Sequence, residues 1–211
     1  MLYNSTHSYT MLIGLTGGIG SGKSTIAKQL REMGYAVYDT DSEAKRLIVE
    51  DATVRNQMEQ LFGKEVYADG VYQTALVAQR VFADKSLLAQ LNAIVHPAVK
   101  ADILRWAQAL HNSTQLYTTL HNSTPYFIEC AILYQAGLDT LCDKVVAVTA
   151  PEPVRLQRVI ARNHTDINKV RARMRAQETD KDLRRADLII NNDGKTPIPT
   201  LCQQIIHLLT K

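Results

Sequence analysis

The apolar positions follow two spacings along the chain. Met11 to Thr16 is a short apolar run of the kind that forms a buried strand. After a cluster of glycines, Ile26, Ala27, Leu30 and Met33 recur at helical spacing, and Gly34 supplies a C-terminal stop. Tyr35 to Asp39 predicts a second strand, so the opening reads as strand, glycine-rich turn, helix, strand: a βαβ unit with a parallel sheet. In the middle, Leu87, Leu88, Leu91, Ile94 and Val95 form one helical stripe, which Pro97 is expected to end; Val99, Ile103, Trp106 and Leu110 form the next. Strands are predicted again at Tyr126 to Cys130 and Lys144 to Thr149, followed by helices at Arg155 to Arg162 and Ile167 to Gln177. Leu188 to Ile190 predicts a last strand. Thr196 then caps a closing helix with Pro197 at its first position and Ile198, Leu201, Ile205 and Leu208 on its inner face.

Strands alternating with helices predict an α/β core covered on both faces. The organisation expected is a polar extension over residues 1–10 and one domain over 11–211. Its core covers about 11–41 and 125–211, with a helical subdomain over about 42–110 and a lid over about 155–180. A polar connection over about 111–124 contains the duplicated tetrapeptide His-Asn-Ser-Thr, at 111–114 and 121–124; two short copies make no solenoid.

Composition adds limits. Of the 211 residues, 45% are hydrophobic and 21% charged, close to the soluble globular average, which disfavours a disordered or fibrous chain. The formal charge is only +3, yet ten Lys or Arg fall between Arg155 and Arg185. Such a segment suits an anionic partner. Polyphosphate accounts for it, and no aromatics interleave as single-strand nucleic acid binding would require, so no nucleic-acid partner is expected. Cys130, Cys142 and Cys202 form no metal-binding spacing and read as free thiols of a reducing cytoplasm. No apolar run has membrane-spanning length, and no membrane partner is expected.

The chemistry is carried by Gly17-Gly18-Ile19-Gly20-Ser21-Gly22-Lys23-Ser24, a complete GxxxxGK[ST] phosphate loop between a strand and a helix. Its glycines let the backbone curl so that several amide hydrogens face one anion. The helix beginning near Gly22 adds its positive end. Lys23 is a mobile charge for the β- and γ-phosphates of ATP. The Ser24 hydroxyl suits Mg²⁺, and Thr25 can donate to the α-phosphate. The fold class expected is therefore a P-loop NTPase-type parallel sheet flanked by helices. By itself the loop specifies nucleotide phosphate only, because the same cradle serves switches, motors and kinases.

Acids are expected across the crevice. Ligands of open α/β sheets sit beyond the carboxyl ends of the strands, which should place Asp39 and Asp41 facing the loop. A carboxylate there can take a proton from an attacking hydroxyl or hold Mg²⁺ through water. Thr40-Asp41-Ser42-Glu43 also reads as a capping box, a purely local role. Glu129, ending the strand from Tyr126, is a candidate for arranging metal-bound water.

From about Met11 to Gly194 these residues resemble the dephospho-coenzyme A kinase family. The matching features are the loop from Leu15 to Thr25, the Asp-x-Asp pair Asp39 and Asp41, Phe62-Gly63, Val81-Phe82, and His96-Pro97. Further on come Arg158 with Arg162, Gln177, and Ala186-Asp187 leading to Asn192. The resemblance implies that ATP phosphorylates the ribose 3′-hydroxyl of dephospho-CoA, the last step of coenzyme A synthesis. It implies that Asp41 is the base, and that Arg162, with Arg158 behind it, belongs to a mobile lid closing over the phosphates, Arg162 as a catalytic residue with Lys23, and Arg158 as a nucleotide-binding one. Two stretches depart from the family pattern: Ala131-Ile132-Leu133-Tyr134-Gln135 lacks an acid, and Tyr72-Gln73-Thr74 lacks an arginine. On the residues alone, a kinase of nucleosides or nucleoside monophosphates and a nucleotide-dependent switch remain alternatives. The chain has no Asn-Lys-x-Asp guanine-reading run, and its helical middle favours an acceptor pocket.

Overall fold

The computed structural model describes residues 11–115, 124–163, 166–176 and 180–209. The polar extension 1–10, Gln177 and most of the expected connection at 111–124 lie outside these residues. The chain forms two compact units, one of residues 1–38 with 117–211 and one of residues 39–116.

The first unit is built on a five-stranded sheet of order β2-β3-β1-β4-β5 among the described residues. The strands are β1 (Leu12–Thr16), β2 (Val37–Asp39), β3 (Tyr126–Glu129), β4 (Lys144–Thr149) and β5 (Leu188–Asn191). β1 runs parallel to both β3 and β4, and β4 is parallel to β5. Every residue of β1 is buried, which explains its unbroken apolar pattern. One sheet face carries Ile13, Leu15, Phe127, Val146 and Val148. It is covered by Ile26, Ala27 and Leu30 of α1 (Lys23–Glu32) and by Leu201, Cys202 and Ile205 of the closing helix (Ile198–Leu209). On β1, Gly14 leaves no room for a side chain: a Cβ would stand 2.7 Å from Leu133 and 3.0 Å from Cys142.

The end of α1 bears out the glycine stop. Gly34 (φ 91°) lies past it, with Tyr35 N–H donating to Leu30 O and Gly34 N–H to Arg31 O, the paired bonds of a Schellman motif. In the closing helix, Leu208 is 53% exposed, against expectation, and Cys202 is fully buried in its stead. The helical stripe there is narrower than apolarity alone suggests.

The second unit is helical: α2 (Thr40–Glu50), α3 (Ala52–Phe62), α4 (Thr74–Ala83) and α5 (Lys85–Gln115), with a 3-10 segment at Lys64–Gly70. α5 packs against the other three. Pro97 does not end its helix but lies inside α5. Val95, Val99 and Ile103, at i, i+4 and i+8, are buried on one face across the proline, and that packing outweighs the hydrogen bond a proline forfeits. Arg46 of α2 reaches Glu43, Glu50 and, at 2.9 Å, Asp102 of α5. Tyr67 O–H donates to Ile48 O at 2.6 Å under the Arg55 guanidinium.

Candidate active site

Sheet order sets the site. β1 lies between β3 and β4, so the loop that leaves β1 is flanked by the ends of both neighbours. Leu15 is in register with Glu129, and Thr16 with Ala147. Glu129 therefore stands beside the strand residue that leads into the phosphate loop.

The loop's glycines answer to close neighbours. A Cβ on Gly17 would overlap Val148 O, and one on Gly20 (φ 80°) would meet Arg155 O at 2.5 Å. Gly22 (φ 92°) is left-handed and caps α1, where a Cβ would overlap Asn192 Nδ2. Ser21 N–H closes a turn onto Gly18 O at 3.1 Å. α1 then starts with no side-chain cap and no acid in its first turn, which leaves its positive end to an anion. Ile19 packs against Leu156 and Val159 of α6 (Glu152–Asn163) and Val170 of α7 (Ile167–Ala176).

Lys23 and Ser24 converge on one oxygen. Lys23 Nζ lies 2.7 Å from Glu129 Oε1, and Ser24 Oγ donates to the same atom at 2.6 Å. Lys23 is 11% exposed and Glu129 5%, so this is a buried ion pair in which the carboxylate occupies the cation that the motif offers to phosphate. The donor set fits the groups implied by the motif. A glycine cradle that any Cβ would fill suits a polyphosphate, and the Ser24 hydroxyl beside the Glu129 carboxylate suits a hard divalent cation. Ser21 Oγ is buried and has no hydrogen-bond partner among the described residues.

The structure thus brings together Gly17, Gly18, Ile19, Gly20, Ser21, Gly22, Lys23, Ser24, Thr25, Glu129 and Arg158. Arg158 is held by backbone: its Nη1 donates to Gly20 O, Ser21 O and Asn192 O at 3.4, 3.3 and 3.0 Å. Arg162 lies one turn further along α6 and is exposed. Two further residues at the loop carry no assigned role in the sequence. Arg155, three positions before Arg158, has its Nη1 2.5 Å from where a Gly18 Cβ would be. Asn192, 3% exposed at the end of β5, donates through Nδ2 to Ser21 O at 2.8 Å. The polar residue closing the apolar run Leu188-Ile189-Ile190 is Asn191, so the run itself does not single out Asn192, whose one signal is its place in the family resemblance.

Asp39 and Asp41 stand at the start of α2 in the helical unit. The cap is Asp39, one residue before the expected capping box. Its Oδ1 accepts from Asp41 N–H at 3.1 Å and Ser42 N–H at 3.2 Å, and its Oδ2 accepts from Ser42 Oγ at 3.0 Å. The second carboxylate oxygen also takes the Ser42 hydroxyl, which a single threonine oxygen serving both amides could not add. Asp41 occupies the first turn of α2 and is exposed. Of the two stretches that depart from the family pattern, Thr74 opens α4, and Gln135 lies in the turns after β3.

The parallel sheet and the uncapped helix start with its lysine and serine define a P-loop nucleotide-binding protein. A family model for dephospho-CoA kinase matches residues 11–197. A dephospho-CoA kinase of Porphyromonas gingivalis is 37% identical over 202 residues, covering 94% of this chain and 95% of that protein. A solved structure from Thermus thermophilus superposes with a TM-score of 0.79 at 29% identity, over 96% of this chain and 99% of that one. A dephospho-CoA kinase from Campylobacter jejuni shares the fold, with a TM-score of 0.67 at 22% identity over 94% of this chain and 96% of that one. The chain belongs to the dephospho-CoA kinase family.

Proposed function

We propose that this protein transfers the γ-phosphoryl group of ATP to the ribose 3′-hydroxyl of dephospho-CoA, yielding coenzyme A and ADP. The observation that carries the donor half is the convergence of Lys23 and Ser24 on Glu129 at the mouth of a glycine loop. Membership in the family supplies the acceptor. In this reading the acceptor oxygen attacks the γ-phosphorus, the bond to the β-γ bridging oxygen breaks, and the hydroxyl proton passes to Asp41. Lys23 leaves Glu129 for the phosphates, where its charge matters most as the γ-group loosens. Thr25 can donate to the α-phosphate. Ser24 and Glu129 would hold Mg²⁺, which would supply charge neutralisation on the phosphates. Asp39 orients the start of α2, and the one lone pair its carboxylate has left would suit a hydrated divalent cation.

Arg162, with the segment that follows it, forms a lid that excludes water; without one ATP would be hydrolysed. Among the described residues no helix is long and apolar enough to cross a membrane, and the three cysteines are free thiols. Both features are compatible with the cytoplasm, where we place the protein. The deciding experiment is a coupled ADP-release assay with dephospho-CoA, adenosine and AMP as separate acceptors. Turnover is expected only with dephospho-CoA. Selective use of AMP would reassign the acceptor, and nucleotide binding without acceptor-dependent turnover would remove the kinase reading.

A further inference from the structure

The outer side of the phosphate loop is held by two side chains that are not its own. Ser21 O accepts from Asn192 Nδ2 at 2.8 Å and from Arg158 Nη1 at 3.3 Å. Arg158 also reaches Gly20 O, Asn192 O and, at 3.5 Å, Asn192 Oδ1. Asn192 is anchored in turn, its own N–H donating to Thr149 O at the end of β4 at 2.8 Å. At 3% exposure an unpaired amide side chain would be costly, so these bonds are structural commitments rather than surface contacts. The clamp joins three segments far apart in sequence: the loop after β1, the second turn of α6 and the end of β5.

Its consequence follows from peptide geometry. Across a trans peptide the C=O of one residue and the N–H of the next point in opposite directions. Drawing Ser21 O toward Asn192 and Arg158 turns Gly22 N–H away from both. Gly22 is also the cap of α1, with its own carbonyl accepting from Thr25 and Ile26 N–H at 3.0 and 3.1 Å. The orientation of this one peptide therefore sets both the last amide of the loop and the approach to the helix. A loop free to flip it would present a carbonyl to the anion instead of a donor.

We infer that Asn192, with Arg158 as its second arm, is a positioning residue of the nucleotide site: it holds the Ser21–Gly22 peptide in the orientation that offers amide donors to phosphate. The inference rests on the proposed reading of the loop as a phosphate site. It assigns Arg158 to the loop's backbone rather than to direct contact with ATP.

The test is Asn192→Ala, read by equilibrium binding of ATP, which needs no acceptor, together with steady-state kinetics. Losing one buried hydrogen bond lowers the population of the competent loop, so the Kd and KM for ATP should rise about tenfold. Saturating ATP restores the loop, so kcat should stay within about threefold and the acceptor KM should not move. Asn192→Leu, which keeps the side-chain volume and removes the donor to Ser21 without adding charge, must show the same ATP weakening if the alanine variant fails to fold. Because both arms meet on Ser21 O, Arg158→Lys should weaken ATP less in the Asn192→Ala background than it does alone. Unchanged ATP affinity in a folded Asn192 variant, or a kcat loss at constant ATP KM, would overturn the inference. Failure of the parent reading looks different, since there the unmodified protein itself would not bind ATP.

Discussion

Replacing Glu129 by alanine strips the buried partner from Lys23 and the acceptor from Ser24 in one step. At 2.7 Å the ion pair is worth about 6 kcal/mol gross at an effective dielectric of about 20. Desolvation offsets much of that, but removing one partner leaves the other charged and poorly hydrated, a loss of about 3 kcal/mol at such sites. The orphaned Ser24 hydroxyl adds about 1 kcal/mol. The variant should therefore unfold in urea with a stability about 3–4 kcal/mol lower, followed by far-UV circular dichroism and by hydrogen exchange at the β1 and β3 amides. The lone tryptophan, Trp106, belongs to the helical unit and would report that part alone. Inorganic tripolyphosphate, added without magnesium so that any metal role of Glu129 is absent, supplies Lys23 with a new anion. The deficit should then shrink to roughly half. A deficit below about 1 kcal/mol without the anion would refute the argument that Glu129 occupies the lysine in place of phosphate. So would one equally large with and without tripolyphosphate.

The remaining predictions concern the base, the loop and one histidine. Asp41→Asn keeps the shape of the side chain and loses its basicity, so kcat should fall by roughly 10²–10⁴ with the ATP KM little changed; a rise in the acceptor KM alone would make Asp41 a substrate-orienting group. Gly20→Ala forces a Cβ onto a left-handed residue within 2.5 Å of Arg155 O, and kcat/KM for ATP should drop about tenfold or more, measured by initial rates. Burial holds the His96 imidazole below its ordinary pKa near 6.5, so the fold favours the neutral ring. The unfolded chain takes up the proton first. The stability contributed by neutral His96 is complete above about 6.5 and is lost as pH falls below it towards the folded value. Thermal midpoints measured from pH 7.5 to 5.5 should decline more steeply in the unmodified protein than in His96→Gln, and identical slopes would contradict this.

The features legible in the amino-acid sequence are those that depend on neighbours along the chain. β4 occupies its predicted span, α7 starts where its stripe begins, and Gly34 stops α1, because unbroken apolar runs, helical spacing and left-handed stops are local properties. Misreadings share the opposite cause. Pro97 reads as a boundary in any short window, but the buried face formed by Val95, Val99 and Ile103 carries α5 through it. The cap of α2 falls one residue from its expected place because Asp39 and Thr40 both satisfy the local pattern. Only the observed backbone shows which side chain reaches the two amides.

The candidate site divides the same way. Gly17 to Ser24 announces a phosphate cradle by itself, since curling the chain around an anion demands glycine at fixed positions and a helix directly after them. That much the sequence determined alone. Glu129 could be named from the end of its strand, but its meeting with Lys23 and Ser24, more than a hundred residues away, follows from β3 lying beside β1 in register. Asn192 carried no role in the sequence because its partner Ser21 is 171 residues distant. The sequence thus determined which atoms could bind phosphate. Tertiary structure decided which side chains hold those atoms in place, because an amide donor is useful to an anion only once its peptide is prevented from turning.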